Sequence, residues 1–447
     1  MNIKKLTAFI LSLALLTSCS LGLSSRSKWS EEELYSAVVY EVNVRQYTKD
    51  GTFKAFSEHL PRLKTLGVDV LWFMPIHPIS EAKRKGSLGS YYAIKDYYGI
   101  NPEFGTKQDF KDLVNQAHEL GFKVILDWVA NHSGWDNEWI NKHPDWYTQV
   151  NGQIIHPQGT DWTDVADFNY NNQALRKEMI KAMKYWVTDF DVDGFRADVA
   201  GSVPVSFWED ATLELEKVKP LFTLAEDDSN PRLLDYAFDS NYQFRFYSIM
   251  KDVANNRRGT TDILAGINNI RAKYKDGIFP FIYTTNHDEN SWDNPLPIVF
   301  KDATKAMNLL IFTMPGMPLI YSGQEINSSQ KLAFFDKDEI IWGDALNNPY
   351  HKFYEQLTAL KKNNSALWHK DNDNFDVLKI ENDILYFVRS NPSNEVLVLI
   401  NLSDKASAIE IDLKASYLEY FSGLRVDEPS NVFNLDPLGY QVLIKQP

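Results

Sequence analysis

A parallel (β/α)₈ barrel followed by a small antiparallel β domain is the fold class this sequence predicts. Three observations lead there. Apolar runs of strand length alternate with helical patterns from Val38 to Ser322. Acids stand at the ends of several of those runs, where such a barrel carries its chemistry. Near Asp371 the pattern gives way to short alternating runs separated by turn residues. A doubly wound open sheet is the alternative architecture, but no glycine-rich dinucleotide loop follows the first strand.

The chain opens on an address rather than on the barrel. Lys4 and Lys5 precede an apolar run from Leu6 to Leu16, and small residues follow. That order spells an export signal over residues 1–18. The run is far shorter than the roughly 20 residues a membrane-spanning helix needs. Leu16-Thr17-Ser18-Cys19 resembles the lipobox of bacterial lipoproteins, which implies cleavage before Cys19 and lipidation of its thiol. Cys19 is also the single cysteine of the chain, so neither a disulfide framework nor a Cys-rich zinc site is available. Residues 19–28, rich in Ser, read as a lipidated, flexible tether. No acidic cluster follows Cys19 directly, which favours an exported, membrane-anchored protein facing the periplasm over one displayed on the cell surface.

The barrel is expected over residues 29–370. Its strand candidates are Val38–Tyr47, Val68–Pro75, Phe122–Ala130, Val192–Val199, Pro220–Glu226, Tyr236–Ser240, Phe281–Asn286 and Pro318–Ser322. Helical spacing marks Phe53–Leu66, stopped by Gly67, Thr106–Leu120, stopped by Gly121, and Gln173–Phe190. Residues 132–170 lack sustained periodicity and are rich in Trp, Asn, Asp, Gly and Pro, so they read as an insert after the third strand. Residues 371–447 carry the short runs Phe375–Ile380, Ile384–Arg389, Val396–Asn401, Ala408–Leu413 and Gln441–Lys445, expected as a C-terminal β-sandwich.

Composition narrows the partners. The 447 residues hold 46 Lys plus Arg against 60 Asp plus Glu, a net charge of −14. Such a balance argues against binding a phosphate backbone, so no nucleic-acid partner is expected. Aromatics make up 13%, a content that suits stacking on sugar rings as well as core building.

The strand ends carry the functional signal. The third strand ends at Asp127, with Asn131-His132 beyond. The fourth runs through Gly194-Phe195-Arg196-Ala197-Asp198, the fifth ends in Ala225-Glu226-Asp227-Asp228, and the seventh in Asn286-His287-Asp288. Twenty-eight residues separate Asp198 from Glu226, about one strand–helix unit, and 62 separate Glu226 from Asp288, about two. Asp198, Glu226 and Asp288 are therefore expected at one barrel mouth. Taken singly, a strand-end Asp often caps the next helix. Four strand ends bearing acids, His and Arg together are hard to explain that way.

These motifs resemble the four regions of the α-amylase family, glycoside hydrolase family thirteen: Asp127-Trp128-Val129-Ala130-Asn131-His132, Gly194-Phe195-Arg196-Ala197-Asp198, Glu226 after Leu224-Ala225, and Asn286-His287-Asp288. Tyr92 to Tyr97, the segment Asn101–Thr106 and Asp167-Phe168-Asn169 are softer matches. The resemblance implies that Asp198 is the nucleophile, Glu226 the acid/base and Asp288 the transition-state stabiliser. Tyr92, His132, Arg196 and His287 would grip the sugar, and Asp127 would support Arg196. The implied substrate is a starch-derived α-1,4-glucan or a maltooligosaccharide. A glucosyl transferase using the same triad is the alternative enzyme, and a maltodextrin-binding protein on a dead scaffold the alternative outside enzymes.

Retention of configuration requires an ionised carboxylate below the sugar and a protonated one at the leaving oxygen, about 5–5.5 Å apart. Arg196 is expected to keep Asp198 ionised, since a nearby cation lowers a carboxyl pKa by about 1–3 units. Asp227, Asp228 and Asp198 are expected to raise Glu226. Two features depart from the family pattern. Gly201 and Ser202 stand where calcium-binding members often carry Lys-His, and Lys49-Asp50-Gly51-Thr52 lacks an Asp-rich loop. No cofactor is expected, calcium included.

Overall fold

In the computed structural model the described residues are 29–274, 278–368, 374–427 and 430–446. The export signal, Cys19, the whole tether and the expected boundary at 370/371 lie outside them. Eight parallel strands form the barrel: β1 (Val39–Val42), β2 (Val70–Phe73), β3 (Lys123–Trp128), β4 (Gly194–Ala197), β5 (Phe222–Ala225), β6 (Ser240–Asn241), β7 (Phe281–Ile282) and β8 (Met317–Tyr321). The ladder runs β6-β5-β4-β3-β2-β1-β8-β7, and a parallel bridge from Tyr242 to Phe281 closes the ring. Val70–Phe73, Phe222–Ala225 and Met317–Tyr321 are buried along their whole length. That is why these strands read as unbroken apolar runs rather than alternating ones.

Several expectations shift at the element edges. The run Val38–Tyr47 is a strand only to Val42. Asn43 leaves the strand conformation to bond Tyr321 and Tyr91 at 3.1 and 3.0 Å, and Val44–Tyr47 then form a helical turn. Phe53–Leu66 is two helices, Phe53–Ser57 and Leu60–Leu66, because Pro61 starts a new first turn and cannot continue an old one. Tyr236 ends a helical turn, Leu233–Tyr236, so β6 shrinks to Ser240–Asn241. Other boundaries follow local chemistry. Gly67 takes φ +88° to end its helix, and Thr106 with Asp109 forms a capping box for Lys107–Glu119. Asn172 caps Gln173–Phe190.

The insert is closed at its base. His132–Gly134 pairs antiparallel with Val165–Asp167, so the chain leaves β3 and returns at the same point. Behind the barrel, β9 (Phe375–Glu381), β10 (Ile384–Asn391), β11 (Asn394–Asn401), β12 (Ser407–Asp412), β13 (Tyr417–Glu419), β14 (Arg425–Val426), β15 (Ser430–Leu435) and β16 (Tyr440–Lys445) build the antiparallel domain. Its main sheet is ordered β9-β10-β11-β16-β13-β14, with β12 and β15 as a separate pair. Strand β10 shows the period of two. Leu385 and Phe387 join the barrel core, while Ile384, Tyr386 and Val388 join a second core with Ile409 and Phe433. Arg389 fastens the domain to the barrel by donating to the carbonyls of Thr313 and Leu367 at 3.2 and 2.9 Å. Among the described residues no helix is long and apolar enough to cross a membrane.

Candidate active site

Strand register sets the first contact. Asp127 on β3 lies directly across from Arg196 on β4, and both are buried. A buried guanidinium needs anionic partners, and Arg196 has three. Its Nη1 donates to Asp127 Oδ1 at 2.8 Å and to Asp198 Oδ1 at 3.1 Å. Its Nη2 lies 2.7 Å from Glu226 Oε1, an ion contact whose angle falls outside hydrogen-bond geometry. The Tyr242 hydroxyl accepts from Nε at 3.3 Å.

The ladder continues one residue past each strand, and this places the acids. Asp198 N–H donates to Trp128 O at 3.0 Å, and Glu226 N–H to Ala197 O at 3.1 Å. Glu226 Oε2 accepts the Val199 N–H at 2.8 Å. Val199 takes φ +37°, a left-handed conformation that costs a β-branched residue about 1–3 kcal/mol. That strain is what aims its N–H at Glu226.

Asp288 follows β7. Its Oδ2 lies 3.4 Å from His287 Nε2, and its Oδ1 accepts from Trp292 Nε1 at 3.1 Å. The Tyr92 hydroxyl sits 3.0 Å from Asp127 Oδ2 and 2.7 Å from His287 Nε2. His132 begins the insert, with Nδ1 3.2 Å from the Asn131 amide and its ring tilted toward Trp162. The Tyr97 hydroxyl lies 2.8 and 2.7 Å from the carbonyls of Val129 and His132, which fixes the turn after β3. All three acids, with Tyr92, His132 and His287, line one cavity of about 670 Å³. Arg196 lies beneath it, fully buried.

The electrostatics differ from the expectation in two ways. Burial pushes Asp198 well above the usual carboxylate range, the neighbouring Glu226 pushes it further, and Arg196 only partly opposes them. Arg196 does not hold the nucleophile candidate low because burial and Glu226 outweigh it, and its one charge also serves Asp127 and Glu226. Glu226 is raised as expected, but by burial and then Asp288. Asp227 and Asp228 have other work. Asp227 accepts the Ser229 and Asn230 N–H groups at 2.8 and 2.7 Å, and Asp228 accepts from Arg245 N at 3.1 Å. Burial lowers His132 to about 4, so it is neutral near pH 7. Burial also works against charge on His287, but Asp288 and Glu41 outweigh it and lift the imidazole to about 9.

A model of the alpha-amylase catalytic domain matches residues 35–377. The chain belongs to the α-amylase family. An α-amylase of Lactobacillus plantarum superposes with a TM-score of 0.84 at 30% identity, covering 93% of this chain and all of that one. A noncanonic maltogenic α-amylase of Thermotoga neapolitana gives 0.83 at 29%, again over 93% of this chain and all of its own. Alpha-amylase 2 of Dictyoglomus thermophilum is 26% identical over 93% of this chain and 76% of its own length.

This amylase-family site contains residues that sequence reasoning missed. Glu41, the one acid inside the apolar run of β1, is fully buried, and its Oε1 lies 2.5 Å from His287 Nδ1. Its Oε2 has no hydrogen-bond partner among the described residues. An acid in an otherwise apolar strand was the available signal. Trp292, Phe334 and Phe335 form an aromatic rim, with Phe334 nearly parallel to Tyr92 at 6.0 Å between ring centres. Among the described residues no three of His, Cys, Asp and Glu are grouped as a metal would need, and Asn131 is turned to His132.

Proposed function

We propose that this site hydrolyses α-1,4-glucosidic bonds of starch-derived glucans or maltooligosaccharides with retention of configuration. The observation that carries the reading is one guanidinium contacting two carboxyls, Asp198 and Glu226, in a cavity that also presents Asp288. With one proton between them, such a pair supplies both a nucleophile and an acid. Glu226 gives its proton to the glycosidic oxygen as that oxygen leaves C1, and an Asp198 oxygen bonds to C1 from the opposite face. Water then attacks C1 and returns a proton to Glu226, and Asp198 leaves as a carboxylate. Asp288 and the imidazolium of His287 frame the ring while positive charge develops at C1. The Tyr92 ring offers the sugar an apolar face.

A glucosyl transferase would run the same first step and deliver the sugar to a hydroxyl instead of water. Incubation with maltoheptaose followed by chromatography separates the outcomes. Shorter products alone support hydrolysis, longer ones support transfer, and an unchanged substrate contradicts both in favour of a binding protein.

The same proposal places the enzyme at a membrane surface. Cys19 would carry the lipid and residues 20–28 would act as the tether, with the barrel facing the periplasm. The lipobox-like Leu16–Cys19 segment and the basic, then apolar, start of the chain support this placement.

A further inference from the structure

Resting on the hydrolase reading, we infer that the enzyme is exo-acting. It takes the non-reducing ends of short maltooligosaccharides and does not cut inside long chains, because a strap of residues 80–89 closes the cleft on the glycone side.

The strap is fixed at both ends. On the insert side Lys85 Nζ donates to Asp161 O at 2.9 Å and pairs with the nearly buried Asp164 at 3.2 Å. Lys83 Nζ sits 3.2 Å over the Trp135 ring, and Glu81 N–H donates to Asp136 at 2.9 Å. On the other side Ser87 N–H and hydroxyl donate to Asp336 Oδ1 at 2.8 and 2.5 Å, and Leu88 N–H donates to Phe335 O at 2.9 Å. Arg45 holds the end of the strap through Gly89 O at 3.1 Å. Gly86, at φ +62°, lies so close to the post-β8 loop that a Cβ there would come within 2.4 Å of Phe335 Cβ. Only glycine lets the backbone come this close to Phe335.

Ring order fixes which end is closed. The strap belongs to the loop after β2. Its ties reach the loop after β8 and the insert after β3, so it spans the arc over β1 and β2. Glu226 ends β5, the strand opposite β1 in a ring of eight. Glu226 protonates the leaving oxygen, so the leaving chain departs on its side and the glycone points to the strap. Lys85 and its partners Asp161 and Asp164 line the cavity together with Phe334 and Phe335. At about 670 Å³ the cavity lies within the range of roughly 300–1,000 Å³ that encloses one small ligand. A polymer running through the site would have to pass the strap.

The test uses maltoheptaose in two forms, one free and one with its non-reducing end blocked by a 4,6-acetal. The wild type should cleave the free form at least about tenfold faster, since a closed wall discriminates by clash. Equal rates on both forms would overturn the exo inference and leave the hydrolase reading intact. Cleavage of neither form would contradict the hydrolase reading, and this inference with it. The double variant Lys85→Ala/Ser87→Ala, which cuts a tie on each side, should raise the blocked-to-free rate ratio and lengthen the first products. A ratio unchanged in an active double variant would refute the strap as the cause.

Discussion

Glu41→Gln should uncouple the charge of His287 from the barrel core. The imidazole meets Glu41 from β1, Asp288 from its own loop, the Tyr92 hydroxyl from the loop after β2 and Arg196 from β4, with the Trp72 ring in a T-shaped contact. Burial disfavours its charge, while Asp288 and Glu41 restore it and set the pKa at about 9 against an ordinary 6.5. That gap corresponds to about 3 kcal/mol of preference for the imidazolium. Glutamine keeps an acceptor for Nδ1–H but removes one of the two anions. A carboxylate in direct contact is worth roughly 1–3 units, so the midpoint should fall to about 7.5. At pH 8 the protonated fraction then drops about fourfold, and the ratio of kcat/KM at pH 8 to that at pH 6 should drop with it. A chromogenic aryl α-maltoside gives the rates, and NMR of the imidazole gives the midpoint directly. Stability moves too. The native state binds an extra proton between pH 6.5 and about 9, so this stabilisation is complete below 6.5 and is lost as pH rises through about 9. The variant should lose most of it near neutrality. An unchanged rate ratio together with an unchanged midpoint would refute the reasoning.

Glu226→Gln should depress hydrolysis of maltooligosaccharides severely, yet spare the first step with α-maltosyl fluoride, whose leaving group needs little protonation. Equal losses on both substrates would argue against its role as acid. Lys361 is buried, donates to Gly316 O at 2.9 Å, and is lowered to about 7 by burial, with Arg389 adding to the shift. Its folded pKa lies below the ordinary 10.5, so the native state gains stability as pH rises from about 7 to 10.5 and carries the full cost of the buried charge below 7. Lys361→Met should therefore raise the melting temperature at pH 6 and lose that advantage by pH 10, where the unpaired Gly316 carbonyl costs about 1–3 kcal/mol. The reverse order in thermal melts would show the assignment wrong. Cys19→Ala should leave the protein soluble and unlipidated. A wild-type mature chain found lipid-free by mass spectrometry would exclude the anchor.

What the sequence made legible was what the chain states locally. Asp127, Arg196, Asp198, Glu226, His287 and Asp288 each sit in a short motif at a strand end, and the parallel register does the rest. Arg196 faces Asp127 because β3 and β4 pair residue for residue. Illegible were contacts made across the ring. Glu41 meets His287 over 246 residues of chain, and Ser87 meets Asp336 over 249. No local pattern encodes either pairing. Asp198 lies higher than its neighbouring Arg suggests because sequence shows the Arg two residues away but not the burial and the Glu226 carboxyl that outweigh it. Asp227 and Asp228 were misjudged because their carboxyls satisfy backbone N–H groups of the following turn and helix. The strand Val38–Tyr47 was overextended because Val44 and Tyr47 favour strands, and it is Asn43 bonding across the barrel that ends β1.

In the proposed mechanism Asp198 attacks C1 while Glu226 protonates the leaving oxygen. Both carboxyls contact the same guanidinium, one at each Nη, so they face one cavity; a retaining pair stands about 5–5.5 Å apart and an inverting pair roughly 6.5–9.5 Å. NMR of the first sugar released from maltoheptaose by the wild type, recorded before mutarotation, tests this most directly. The α-anomer is expected first. Initial release of the β-anomer would contradict both the nucleophile and the geometry assigned to it.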